Sequence, residues 1–141
     1  MPAMLEATSL PTEVGSEQGT NRVTESVDTY FDAWNEPDGV ARRALIDRCL
    51  TGDVELIDEN GRFRGYDGLA DLMARFQEKV LGGRVIRSSG IDQFEGIARY
   101  SWNIVDRGGT TILVGLDVVE QDTDGRLRRI IMFHRALPAL D

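Results

Sequence analysis

The chain has 141 residues, 41% hydrophobic and 28% charged, which suits one globular domain that buries a sizeable core without metal or disulfide staples. A formal net charge of −8 and a pI near 4.7 argue against nucleic acid or an anionic membrane surface as a partner. No apolar run approaches the length of a membrane span, and Met1 to Arg22 lack the basic start and long apolar centre of a signal peptide, so the cytoplasm is the expected location.

Residues 1–21 are rich in Thr, Ser, Glu, Gly and Pro without lasting periodicity, and read as a mobile leader before a single domain over 22–141. A helix capped by Thr20 or Asn21 follows, with Val23, Val27, Tyr30, Phe31 and Trp34 on one apolar face. Asn35-Glu36-Pro37-Asp38-Gly39 ends it. A second, short helix places Val40, Ala44, Leu45, Arg48 and Cys49 on one side. Cys49 is the only cysteine, so neither an intramolecular disulfide nor a cysteine metal cluster is available. It reads as a small buried hydrophobe, with a catalytic thiol as the lesser alternative because the only histidine is remote in sequence.

Asp53–Asp58 reads as a strand, and Asn60-Gly61 as a hairpin turn into a short return strand, Arg62-Phe63-Arg64. A third helix, capped by Asp67, carries the clearest apolar stripe of the chain: Leu69, Leu72, Met73, Phe76 and Val80. Gly82-Gly83 stops it. The rest is strand-like: 84–89, 98–105, 110–121 and 127–135, joined by turns at Asp106–Gly109 and Asp122–Gly125. This order is an α+β layout with helices gathered on one face of a strongly curved sheet. Arginine supplies nearly all the basic charge, and Lys79 is the only lysine, a usage that resembles a GC-rich bacterial genome.

The run Ile112-Leu113-Val114-Gly115-Leu116-Asp117-Val118-Val119 reads as a buried strand interrupted by a carboxylate. An isolated ionised carboxylate is too costly for a core, so Asp117 must be paired, hydrogen-bonded, protonated or facing a cavity. Asp58 repeats the theme, in phase with Val54 and Leu56. Two acids aimed from apolar strands suggest a pocket built for proton chemistry. The plainer alternative is that Asp58 opens a turn and Asp117 caps a neighbour. His134, on a strand face with Ile130 and Met132, is a pocket residue or a satisfied core histidine. Tyr100, Trp102 and Ile104 alternate along one strand face as a pocket wall, or as ordinary sheet packing. One histidine without carboxylates at ligand spacing makes no metal set.

Val27-Asp28-Thr29-Tyr30-Phe31-Asp32-Ala33-Trp34-Asn35, Asp53–Asp58, Gly65–Leu69, Gly115-Leu116-Asp117, and Asp124-Gly125-Arg126-Leu127 before Phe133 give the chain a resemblance. In this order and spacing, over residues 23–137, it resembles the nuclear-transport-factor-2-like superfamily, particularly the SnoaL-like polyketide cyclase and ketosteroid isomerase branches. The resemblance implies a cone-shaped barrel, in which a curved, mixed but mostly antiparallel sheet wraps three helices around an apolar pocket. It places Tyr30 as a hydrogen-bond-donating tyrosine, Asp58 as a proton-shuttling base and Asp117 as a protonated acid. His134 falls on the pocket wall. Trp34, Met73, Tyr100, Trp102 and Met132 are read beside them as substrate-binding residues. The chain departs from the steroid isomerases at Met73, where they carry a second tyrosine, and at Glu59, where they carry proline. His134 replaces an aromatic wall residue. Ser101 breaks the Arg-x-Asp pair that an epoxide-hydrolase site of this fold would need. A pocket aspartate serving as acid and base in an aldol closure, as in the SnoaL-like cyclases, also fits Asp117.

The expected function is therefore cofactor-free acid–base chemistry, by Asp58, Asp117, Tyr30 and His134, on a hydrophobic, oxygenated, polycyclic or polyketide-like molecule. Isomerisation through an enolate and aldol cyclisation both suit those groups. The alternatives are a non-catalytic small-molecule binder and a dimeric assembly module. A homodimer through the outer sheet face is expected, with no metal, no cofactor, no nucleic acid and no membrane involved.

Overall fold

The computed structural model describes residues 13–135 and 137–140. Three helices and seven strands follow in the order α1 (Glu13–Asn35), α2 (Gly39–Cys49), β1 (Leu50–Asp58), β2 (Gly61–Arg64), α3 (Gly65–Lys79), β3 (Arg84–Arg87), β4 (Asp92–Phe94), β5 (Ile97–Val105), β6 (Thr111–Gln121) and β7 (Leu127–Phe133). Helix α1 begins at Glu13, so residues 13–21, expected in the leader, are helical backbone. Residues 1–12 of that leader lie outside the described residues.

The strands form one mixed sheet in the order β2-β1-β7-β6-β5-β3, with β4 added to β5. All pairings are antiparallel except β1 with β7. The sheet does not close, and β2 and β3 are its edges. Register breaks in the β1–β7, β5–β6 and β6–β7 pairs bend it, as bulges do. The helices fill its concave face. Val23, Val27, Tyr30, Phe31 and Trp34 of α1 are all buried, the face their spacing predicts. Leu69 and Met73 of α3 join Leu56, Leu127 and Ile130 of the sheet in the same core.

Three expectations shift. In α2 the buried stripe is Arg42, Ile46 and Cys49, while Val40 is 82% exposed. Asp38 caps that helix by accepting from the Ala41 N–H. The resulting phase turns Arg42 inward, where its guanidinium donates to the Glu36 and Pro37 carbonyls at the end of α1. Helix α3 starts at Gly65, so Asp67 lies in its first turn and pairs with Arg43 instead of capping. Strand β4 was not expected; the turn that returns it to β5 uses Glu95 (φ 50°) and Gly96 (φ 77°).

Candidate functional site

The wide end of the curved sheet and the ends of α1 and α3 enclose a cavity of about 460 Å³. Two side-chain amides hold this end together. Asn35 mimics a strand residue, accepting from the Val85 N–H and donating to the Val85 carbonyl, both at 2.8 Å. Gln77 of α3 donates to the Trp34 carbonyl. Tyr30, Phe31 and Trp34 of α1 therefore face Trp102 of β5, Asp117 of β6 and Met132 of β7 across the space. Helix α3 contributes the stripe Leu72, Arg75, Phe76 and Lys79, at positions i, i+3, i+4 and i+7.

Asp117 lies on the floor, 1% exposed. The β5–β6 register puts Tyr100 directly opposite it and Trp102 opposite Gly115. Tyr100 Oη donates to Asp117 Oδ2 at 2.8 Å, and Trp102 Nε1 donates to Asp117 Oδ1 at 2.9 Å. Both donors favour the carboxylate, yet burial wins and pushes the carboxyl up to about 7. Gly115 makes room for this arrangement: a Cβ there would lie 2.1 Å from Trp102 Cζ2. A glycine inside a β-branched strand is the sequence signal for such close approach, although Gly115 is not among the site residues expected from the sequence.

Tyr30 is 1% exposed and on the cavity wall, and its hydroxyl is the buried side-chain polar atom left without a hydrogen-bond partner among the described residues. Burial, and then the nearby Asp117 carboxylate, push that hydroxyl well above its ordinary pKa against a smaller downward pull from the adjacent Trp34 side chain, which makes no hydrogen bond of good geometry to it, so it remains a proton-bearing donor. Edge-on contacts with Phe31 and Trp34 fix the ring.

The second acid is held differently. Asp58 closes β1, where the Asn60 N–H donates to its Oδ1 at 2.8 Å, a turn contact. Its Oδ2 lies 3.3 Å from His134 Nε2. Strand β7 ends at Phe133, so His134 stands one residue past it. Parallel pairing of β1 with β7 aligns the two strand ends and brings these groups together. His134 Nε2 also lies 3.2 Å from Met132 Sδ, and its ring packs edge-on against Trp102.

Of the nine residues read from the sequence, Tyr30, Trp34, Asp58, Trp102, Asp117, Met132 and His134 line the cavity; Met73 and Tyr100 do not. Met73 belongs to the core-facing stripe of α3, one position around from the cavity stripe. Tyr100 stands behind Asp117, with its ring against Phe31. Phe63, Leu72, Arg75, Phe76, Lys79 and Leu113 line the cavity without having been expected as site residues. Cys49 is fully buried among apolar groups, its thiol pushed up to about 12 by burial, which suits packing and not nucleophilic attack. No described helix is long and apolar enough to cross a membrane.

No protein-family model matches the sequence, and no curated protein does. Solved structures do. A SnoaL-like family protein from Agrobacterium tumefaciens, provisionally assigned as an isomerase, is 26% identical, with a TM-score of 0.77 over 82% of this chain and 99% of its own. The chain has the nuclear-transport-factor-2-like fold. A Sinorhizobium meliloti protein, provisionally assigned as a polyketide cyclase, shares the fold at 16% identity and TM-score 0.60, over 77% of this chain and 93% of its own. So does a nuclear-transport-factor-2-like superfamily protein from Salmonella enterica, at 16% identity and TM-score 0.65, over 89% and 96%. The fold hosts unrelated activities, so function must be argued from the cavity.

Proposed function

We propose that this protein is a cofactor-free acid–base enzyme acting on an oxygenated, hydrophobic, ring-bearing molecule, by isomerisation through an enolate or by aldol-type cyclisation. The observation that carries this reading is the unpartnered Tyr30 hydroxyl, which shares one cavity with the Asp117 carboxyl and the Asp58–His134 pair. A buried donor without a partner costs stability, and a ligand oxygen would satisfy it. Asp58, linked to His134, takes a proton from the carbon beside a carbonyl. Tyr30 donates to the oxygen on which negative charge develops. Asp117, poised near neutrality, returns or receives the proton. The aromatic and aliphatic wall excludes water and orients the rings. The likeness to the SnoaL-like protein assigned as an isomerase adds support.

The test needs no knowledge of the natural substrate: deuterium uptake beside the carbonyl of a cyclic ketone such as 2-tetralone, followed by NMR in heavy water. The protein should accelerate exchange, and Asp58→Asn should abolish the acceleration while leaving ketone binding intact. Exchange no faster than in buffer, across a series of bound cyclic ketones, removes the enzyme reading and leaves a binder.

We also infer a homodimer through the outer sheet face. Leu116 and Val118 of β6 lie beside Phe133 and Ile131 of β7 in register, forming a continuous apolar surface on the side away from the helices. Phe133 is 52% exposed, and such a surface favours a second copy.

A further inference from the structure

The cavity wall carries positive charge that the proposed proton chemistry does not use. Arg75 and Lys79 lie one helical turn apart on α3, in the same stripe as the wall residues Leu72 and Phe76. Both are exposed, whereas Tyr30 and Asp117 are buried, so the cations mark the mouth and the hydrogen-bonding groups mark the floor. Neither cation has a carboxylate within 4.0 Å among the described residues. Arg75 spends one donor on the Asp71 carbonyl of its own helix, at 3.5 Å, and its guanidinium lies over the Phe63 ring, 5.8 Å from the centroid. That stacking keeps the planar fork at the rim. Lys79 is the only lysine in a chain of net charge −8. A cation in the last turn suits the helix dipole on any face; two cations along the cavity face need a further reason.

We propose that the molecule this cavity accepts is a ring-bearing acid, with its carboxylate at the mouth between Arg75 and Lys79 and its oxygenated end at Tyr30 and Asp117 on the floor. The inference rests on the reading of this cavity as a ligand site and names the chemical class of the ligand. Guanidinium and ammonium groups together recognise a carboxylate by a charge-assisted fork and a point charge. The apolar wall between mouth and floor is what a polycyclic or aromatic body would cover.

The experiment compares 4-(1-pyrenyl)butanoate with its neutral counterpart 4-(1-pyrenyl)butan-1-ol. Binding is read as energy transfer from Trp34 and Trp102 to pyrene, for the parent protein and the double variant Arg75→Gln/Lys79→Gln. The parent should bind the acid about tenfold more tightly than the alcohol, the size of one charge-assisted contact. That preference should shrink as salt is raised. In the double variant it should disappear while affinity for the alcohol stays the same, and both substituted positions are exposed, so the fold is retained. Equal binding of acid and alcohol by the parent, or a preference that survives in the double variant, overturns the carboxylate assignment and leaves the ligand site standing. Failure of both probes to bind overturns the site and the assignment together.

Discussion

Replacing Asp117 by Asn should flatten the dependence of stability on pH. The Asp117 carboxyl is raised from 3.8 to about 7 by burial. Each unit of difference between folded and unfolded chains is worth about 1.4 kcal/mol, so ionised Asp117 holds the fold about 4 kcal/mol below its protonated stability. Below pH 3.8 the group is protonated in both states and exerts no penalty. As pH rises toward 7 the unfolded chain releases its proton first, and stability falls. Above the folded value both states are ionised and the loss is constant. From pH 5 to pH 8 the parent should lose about 3 kcal/mol through this one group.

Asn carries no charge and can keep the contacts: its carbonyl accepts from Trp102 Nε1, and its amide donates to Tyr100 Oη once that hydroxyl turns. Urea unfolding of both proteins at pH 5, 6.5 and 8, followed by tryptophan fluorescence, measures the difference. The stability of Asp117→Asn relative to the parent should rise by about 3 kcal/mol across that range, a shift of more than about 1 M in relative urea midpoint. Ionisations elsewhere cancel in the comparison. Curves that stay parallel within about 0.5 kcal/mol would refute the raised carboxyl, and with it the neutral-pH proton role of Asp117.

Gly115→Ala should destabilise by about 2–4 kcal/mol in urea unfolding, because the new Cβ meets Trp102 and also lies 2.3 Å from the Phe133 carbonyl oxygen, which cannot swing away; a cost under about 0.5 kcal/mol would mean the strand shifts freely there. Tyr30→Phe should leave stability unchanged or raise it by up to about 1 kcal/mol, since the lost hydroxyl has no partner, while ketone exchange drops by about a hundredfold. A clear loss of stability in that variant would show that the hydroxyl holds the fold and not a ligand. On the outer face, Val118→Arg should turn a sedimenting dimer into a monomer, because Val118 lies between Arg99 and Ile131 in the sheet register; a parent that sediments as a monomer at micromolar concentration removes the dimer.

The parts of the fold readable from sequence are those fixed by local periodicity. The α1 stripe from Val23 to Trp34 and the α3 stripe through Leu69 and Met73 obey the helical repeat, and both are buried as spaced. Asp117 stood out because a charged residue in a β-branched run demands an explanation. Its partners were harder to read, since Tyr100 and Trp102 meet it only through the register set by the Asp106–Thr110 turn. The burial of Arg42 depends on carbonyls at the end of another helix, so the phase of α2 is not legible from its own pattern. The meeting of Asp58 with His134 depends on a parallel pairing between distant strands, a non-local contact that no short pattern encodes. The cavity cations are hidden for another reason: no local pattern sets Arg75 and Lys79 apart from a solvated helix face until α3 is placed against the sheet.

The contrast between the two aspartates separates a pocket from a structural ion pair. A structural carboxylate in a core is held by a cation, which lowers its pKa and locks it ionised. Asp117 has no such partner: its oxygens meet a phenol and an indole, both neutral, and burial leaves it near 7. The cations of the cavity, Arg75 and Lys79, stand at the exposed mouth. Asp58 is held in another way, by a turn N–H and beside the ring nitrogen of His134. One cavity therefore holds a carboxyl raised to about 7 and a second carboxyl group beside a histidine, the combination that the proposed proton chemistry would use. A core built for stability alone would gain from an apolar residue at position 117, with phenylalanine at 100 to match. That the chain keeps the costly arrangement, with an unsatisfied tyrosine hydroxyl beside it, is the physical case for chemistry at this site.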